Sequence, residues 1–257
     1  MTTTYAIGDV HGHLEKLRRA HDLIIADRLR HGADDALVVH LGDLVDRGPQ
    51  SADVLEYVQT LSSNDNRVVT LLGNHDRLLL WWVRDGREDP RLYPGLSYRS
   101  DVIGGAATLL SYDVDPTGPR DEVLAEARAK VPKTHLNFIA TRPLTLSRGE
   151  CFFVHAGIRP GVPLSAQATE DLLWIRDEFL YDTRDHGALV VHGHTPVEVE
   201  QMHFGNHLDV DTGAAFGGPL TVVAICGREV FRLTDQGRES VRPAATSASK
   251  SAPKSTA

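Results

Sequence analysis

Six side chains in this 257-residue chain have the types and spacing expected of ligands for hard or borderline cations. Asp9 and His11 stand two apart in Gly8-Asp9-Val10-His11-Gly12. Asp43 lies in Gly42-Asp43-Leu44-Val45-Asp46-Arg47-Gly48-Pro49, and Asn74 precedes His75 in Gly73-Asn74-His75-Asp76. His155 opens His155-Ala156-Gly157, and His194 sits in His192-Gly193-His194-Thr195-Pro196. Taken singly, each has a bland explanation: a polar loop after a strand, a turn, or a histidine at a strand edge. Together they recur at the ends of apolar runs and beside glycines, which permit positive φ and close backbone approach. An Asp/His/Asn set suits Mn, Fe, Zn or Mg rather than soft thiolate chemistry. The chemistry expected of it is two-metal hydrolysis.

Such a set needs strands that end together. Tyr5-Ala6-Ile7, Ala36 to Leu41 and Arg67 to Leu72 read as three strands, each ending at a motif. Helices follow from His13 to Arg30, from about Ser51 with Ser51 as its N-cap, and from Asp76 to Arg84. Strand–loop–helix repeated in this way predicts a parallel sheet with helices on its faces, and ligands bind beyond the carboxyl ends of such strands. From Gly86 to about Pro143 the rhythm is lost. Helical stretches around Val102–Leu110 and Glu122–Lys130 predict a helical insertion over the edge of the site. Strands return at Thr145–Ser147 and Cys151–Val154 around an Arg148-Gly149-Glu150 turn. A helix is expected over Ser165 to Leu180 and a strand over Ala188 to Val191. Strands at His207–Val210, Leu220–Ile225 and Val230–Leu233 predict a second, largely antiparallel sheet facing the first. From about Pro243 the composition predicts a disordered tail. The expected organisation is one domain over residues 1–242 and a tail over 243–257.

The formal net charge of −8 argues against binding along a nucleic-acid backbone, though local arginines can still hold a small phosphorylated substrate. The two cysteines, Cys151 and Cys226, lie in apolar runs and read as buried reduced thiols, which fits a reducing compartment. The N-terminal stretch lacks a basic region and an apolar core, so no signal peptide is expected. The apolar run Leu78 to Val83 is short of the ~20 residues that span a bilayer. The expectation is a cytoplasmic protein without a membrane partner.

These motifs make the chain resemble the metallophosphoesterase superfamily, in particular its phosphoprotein phosphatase branch. The resemblance runs from residue 5 to about 226. It is nearest to bacterial and phage-type members, the bacteriophage lambda serine/threonine phosphatase among them, which share stretches like Trp174-Ile175-Arg176 and Asp211-Thr212-Gly213-Ala214. It implies a four-layer α/β fold, a β-sandwich flanked by helices. By resemblance Asp9, His11 and Asp43 hold one metal, and Asp43 bridges to a second held by Asn74, His155 and His194. Manganese is the expected metal, with Fe, Zn, Ni and Mg also accepted by the ligands. The resemblance implies that two such cations would supply an activated water for in-line attack on phosphorus. Arg47 and Arg176 match the phosphate-binding arginines, His75 the general acid and Asp46 the residue that orients it.

Ala156 stands where many phosphoprotein phosphatases have glycine, and the C-terminal signature of the eukaryotic enzymes is absent. The activity the resemblance implies is a serine/threonine-phosphatase-like phosphomonoesterase, and these departures leave small phosphate esters beside phosphoproteins as its substrates. The alternative is a dinucleoside polyphosphate hydrolase. Related diadenosine tetraphosphate hydrolases usually lack an acid at the position of Asp46, which favours the phosphatase. A phosphoesterase scaffold kept as a binding module is a third reading, but such proteins lose ligands or the acid, and all are present here. His192 could reach the site from behind His194. His13 and Asp76 border the motifs as supports or caps, and His40 is expected to be a buried strand residue. His21, His31, His135, His186, His203 and His207 read as surface or core residues, and Trp81-Trp82 as packing.

Overall fold

The structure, a computed structural model, describes residues 3–243. Alternation along the strands decides the layering. In β1 (Thr3–Ile7), Tyr5 and Ile7 face one apolar cluster while Ala6 faces another. The same alternation splits Val38 from Val39 in β2 (Leu37–His40), and Phe152 from Phe153 in β5 (Cys151–Val154). A two-residue period with both faces apolar requires cover on both sides. The result is four layers, helices–sheet–sheet–helices, with three apolar clusters between them.

The first sheet has six strands in the order β10 (Gly237–Val241), β9 (Glu229–Thr234), β8 (Val222–Cys226), β1, β2, β3 (Val68–Thr70). β1, β2 and β3 are parallel, so the motifs that follow them emerge at one edge. α1 (Leu14–His31) and α2 (Ser51–Asn64) cover the outer face through Leu17, Ile24, Val54 and Val58. α1 stops at Gly32, whose φ of 61° lets its N–H return to the Arg28 carbonyl. The Ser51 hydroxyl does not cap α2. It accepts from the Asp46 N–H at 3.1 Å instead, and Gln50 takes the cap position without a side-chain bond.

The second sheet, β4-β5-β6-β7, differs from the expectation. Only β4 (Thr145–Arg148) runs antiparallel to its neighbour; β5, β6 (Leu189–His192) and β7 (His207–Asp209) are parallel. β8 and β9 do not join it. They cross to the first sheet, β8 antiparallel to β1, and β10, which the sequence pattern did not signal, extends that edge. Turn chemistry at Gly227-Arg228 shows that β8 and β9 pair; it does not say which sheet receives them. The parallel arrangement of β5 and β6 brings His155 and His194 out at the same end.

The helix expected over 165–180 is broken. A 3₁₀ turn at Leu164–Ala166 precedes α7 (Thr169–Trp174), and α8 (Asp177–Leu180) follows after a kink at Ile175-Arg176. Arg176 has φ −132° and ψ −105°, outside the helical region. α3 (Asn74–Leu80) continues as a π-turn over Trp81–Asp85. Residues 86–143 hold α4 (Gly105–Ser111), α5 (Arg120–Lys130) and α6 (Lys133–Ala140), the last unsignalled by the sequence pattern. Both cysteines are free, Cys151 buried and Cys226 only half-buried, contrary to the expectation for the second. The tail expected to be disordered falls, from residue 244 on, outside the described residues.

Candidate metal centre

Among the described residues, five of the six non-glycine residues with positive φ are His11, Asp43, Asp46, Arg47 and His194, with φ from 45° to 73°. Each such residue costs on the order of 1–3 kcal/mol and persists only where its surroundings hold it. They are held by a backbone mesh: the Asp43 carbonyl accepts the N–H groups of Val10 and His11, and the Gly104 carbonyl accepts that of Arg47. Two glycines make the approach of the loops possible. A β-carbon on Gly73 would collide with the Asp43 backbone and carboxylate, and one on Gly193 with the Asp9 carboxylate.

The mesh gathers Asp9, His11, Asp43, Asn74, His75, His155 and His194, all buried, at the common end of the two sheets. His11, Asp43 and His75 form one set whose nitrogen or oxygen atoms lie within 4.8 Å of one another, and Asp43, His155 and His194 form a second. Asp43 belongs to both. Asn74 Oδ1 lies 2.8 Å from His155 Nε2 and 3.0 Å from His194 Nδ1, completing the second set. Asp9 belongs to neither. One of its oxygens accepts the His194 N–H at 3.0 Å, and Oδ1 is buried without a partner. The outer nitrogens of His11 and His155 are fixed by the Val45 and Leu41 carbonyls at 2.8 and 2.9 Å, which orients the inner nitrogens.

Charge at this end of the sandwich is unbalanced. Burial, reinforced by Asp211, Asp43 and Asp209, pushes the Asp9 carboxyl well above its ordinary range. Burial raises Asp211 to about 6 and Asp209 well up. Asp43 goes the other way: burial acts to raise it, but the imidazoles of His155, His75, His11 and His194 hold it below the usual carboxylate range. Burial pushes His11, His155 and His194 below the ordinary imidazole range, toward the form that can ligate a cation. Buried acids crowded around buried imidazoles, with orphaned polar atoms at Asp9 Oδ1 and His194 Nε2, form a donor set that fits divalent cations.

Beside it stands a polar relay. His75 Nδ1 lies 2.8 Å from Asp46 Oδ2, and Asp46 Oδ1 accepts from Tyr98 and Thr108 hydroxyls at 2.8 Å each. The Arg47 fork reaches His11 Nε2 at 2.7 Å and His75 Nε2 at 3.2 Å. Arg176 is exposed and donates to Thr195 Oγ1 at 3.2 Å. Tyr98 and Thr108 were not anticipated. They come from the 86–143 stretch, and nothing local marks a lone tyrosine or threonine as the partner of an aspartate 52 or 62 residues away.

Several bordering residues are structural. His192 bonds His207 Nδ1 at 2.9 Å and its own Gly193 carbonyl, away from the metal-type sets. Asp76 accepts the Leu44 and Gly73 N–H groups. His40 is buried against His21 at 3.0 Å, and His135 bonds Tyr112 and Glu56. Trp82 is buried packing, and Trp81 lies between the Arg77 and Arg87 guanidiniums.

The chain is similar to several known proteins. A tetraphosphatase of Methylococcus capsulatus, named as a symmetrical bis(5'-nucleosyl)-tetraphosphatase, is 36% identical over 61% of this chain and 43% of its own length. An asymmetrical bis(5'-nucleosyl)-tetraphosphatase of Anoxybacillus flavithermus is 25% identical over 84% of this chain and 88% of its own. This chain thus spans less than half the length of the symmetrical relative. A cold-active protein-tyrosine phosphatase from a Shewanella species shares the fold, with a TM-score of 0.60 at 16% identity over 94% of this chain and 81% of its own. No helix among the described residues is long and apolar enough to cross a membrane. The profile of the calcineurin-like phosphoesterases matches residues 2–224, and the chain belongs to that family.

Proposed function

We propose that this protein hydrolyses phosphate esters or anhydrides at a two-metal centre. The observation that carries this is the pair of buried ligand sets sharing Asp43, with the Arg47 fork laid across one of them. Asp9, His11 and Asp43 are assigned to one divalent cation, and Asp43, Asn74, His155 and His194 to the other, with manganese as the expected metal. Bound there, the cations would supply an activated water and neutralise charge. The chain's own groups do the rest. Arg47, joined by Arg176 at the rim, grips phosphate oxygens and offsets charge that grows on them. His75 protonates the departing oxygen from Nε2 while Asp46 accepts a hydrogen bond from Nδ1–H and fixes the ring. Tyr98 and Thr108 in turn fix Asp46.

For the substrate, the tetraphosphatase names of the relatives support dinucleoside polyphosphates. A second reading, hydrolysis of serine/threonine-type phosphomonoesters, is favoured by the Asp46–His75 pair, because an alkoxide leaving group needs a proton more than a phosphate does. The test is to strip the protein with chelator, restore Mn, Fe, Zn, Mg or Ni, and compare kcat/KM on diadenosine tetraphosphate, a phosphothreonine peptide and para-nitrophenyl phosphate. Activity restored by one metal and lost in Asp43→Asn supports the two-metal assignment, and the substrate ratio selects the reading. Wild-type-like turnover in Asp43→Asn would sink it.

A further inference from the structure

At the mouth of the site one large apolar side chain points into solvent. Phe216 is 67% exposed, and Arg47 Cζ lies 4.9 Å from its ring centroid. The same guanidinium has its other nitrogens on His11 and His75. The ring is therefore one guanidinium away from the position assigned to the phosphate. Among the described residues, most of the ring's surface is left open.

The loop that presents Phe216 is firmly built. It forms a 3₁₀ turn over Ala214–Phe216 between Gly213 and Gly217, both with left-handed φ. The Gly213 carbonyl accepts the N–H groups of Phe216 at 2.8 Å and Gly218 at 2.9 Å, and its own N–H is held by Asp211 Oδ1 at 2.9 Å. From α1, Lys16 Nζ reaches the Ala214 carbonyl at 2.9 Å and the Gly218 carbonyl at 2.8 Å. A loop tied at both ends does not bury its aromatic residue by collapsing. It holds the ring at the rim.

We infer that Phe216 is a specificity-determining residue that stacks the nucleobase of a nucleotide substrate while Arg47 holds the adjoining phosphate. The inference rests on the phosphohydrolase reading above and narrows its substrate to a nucleotide. Three features meet in it. An aromatic face takes any base without hydrogen-bond readout. Arg47, stacked on the same ring, links the base-binding and phosphate-binding elements through a cation–π contact. Finally, a nucleotide carries its planar base one ribose away from its phosphate, so a single ligand can meet both the ring and the neighbouring Arg47 fork. A phosphoserine or phosphothreonine peptide offers no planar group at that distance from its phosphate.

The experiment compares wild type, Phe216→Ala and Phe216→Trp in the metal-loaded protein, on diadenosine tetraphosphate and on inorganic tripolyphosphate, which has no base. The expected result is a fall of about 5- to 150-fold in the ratio of the two kcat/KM values for Phe216→Ala, carried by KM, the range that loss of one base–aromatic stack gives. Phe216→Trp should keep the ratio, and its added fluorescence over wild type should be quenched by adenosine 5′-monophosphate. Equal losses on both substrates, or no change in the ratio, would overturn the inference. Should wild type hydrolyse no phosphate compound with any metal, the phosphohydrolase reading fails by itself. Quenching of the Phe216→Trp variant by the nucleotide then still decides the stacking: its absence overturns it.

Discussion

His75 is caught between two partners, the Asp46 carboxylate at Nδ1 and the Arg47 fork at Nε2. Its assigned work is to give a proton from Nε2, so His75→Asn should lower kcat by about 10²- to 10⁴-fold on an alkyl phosphate. The loss should be smaller on an aryl phosphate, whose leaving group is already acidic; equal losses on the two would argue against the acid role. Gly193 gives a prediction of another kind. Its missing side chain leaves space that the Asp9 carboxylate fills, so Gly193→Ala should displace that carboxylate and lower metal occupancy, read by metal content after gel filtration. Full metal content in Gly193→Ala would place Asp9 outside the centre.

At the scale of elements, α3 carries Asn74 and His75, and α7 leads into the kink at Arg176. Arg77 ties the two together: it bonds Asp89 at 2.8 Å, and Glu170 in α7 at 2.7 and 3.0 Å. Arg77 and Asp89 are nearly fully buried, whereas Glu170 is 45% exposed at its side chain and contributes less. Removing the arginine strands a buried carboxylate, so Arg77→Met should destabilise the fold by about 3 kcal/mol. Arg77→Met combined with Asp89→Leu should recover part of that loss in urea unfolding. A double variant as weak as the single would mean that packing, not the stranded charge, sets the cost.

For the whole molecule, each sheet carries a buried histidine pair. His21 and His40 join α1 to β2, and His192 and His207 join β6 to β7. Burial pushes His21 and His207 down to about 4. In the unfolded chain these imidazoles titrate near 6.5, so between about pH 6.5 and 4 the unfolded state binds more protons. Their stability contribution is therefore complete above about pH 6.5 and is lost as pH falls toward 4, at about 2 kcal/mol each by pH 5. The urea midpoint of wild type should drop between neutral pH and pH 5, and that of His21→Gln/His207→Gln should drop less. Chelation at neutral pH should also lower Tm. A cation present at 100 times its Kd stabilises by about 2.7 kcal/mol, and it would relieve the crowding of Asp9, Asp209 and Asp211. An unchanged Tm would count against a resident metal.

The ligand types and the strand ends that carry them were legible in the chain, because apolar alternation and the glycines beside each motif are local properties. His11 and Asp43 fall in one ligand set and Asp43, His155 and His194 in another, with Asn74 Oδ1 beside the second and Asp9 reached through the His194 N–H. Which sheet receives β8 and β9 was not legible, since a hairpin signal defines a partner strand and not the sheet it joins. Nor was the break at Ile175-Arg176, where apolar spacing alone suggests a continuous helix. Asp46's partners Tyr98 and Thr108, and the exposure of Phe216 beside Arg47, exist only in the fold. The sequence by itself determined the reactive groups and the edge at which they gather. Tertiary structure decided their orientation and what surrounds them, because contacts between residues far apart in the chain leave no periodic trace in it.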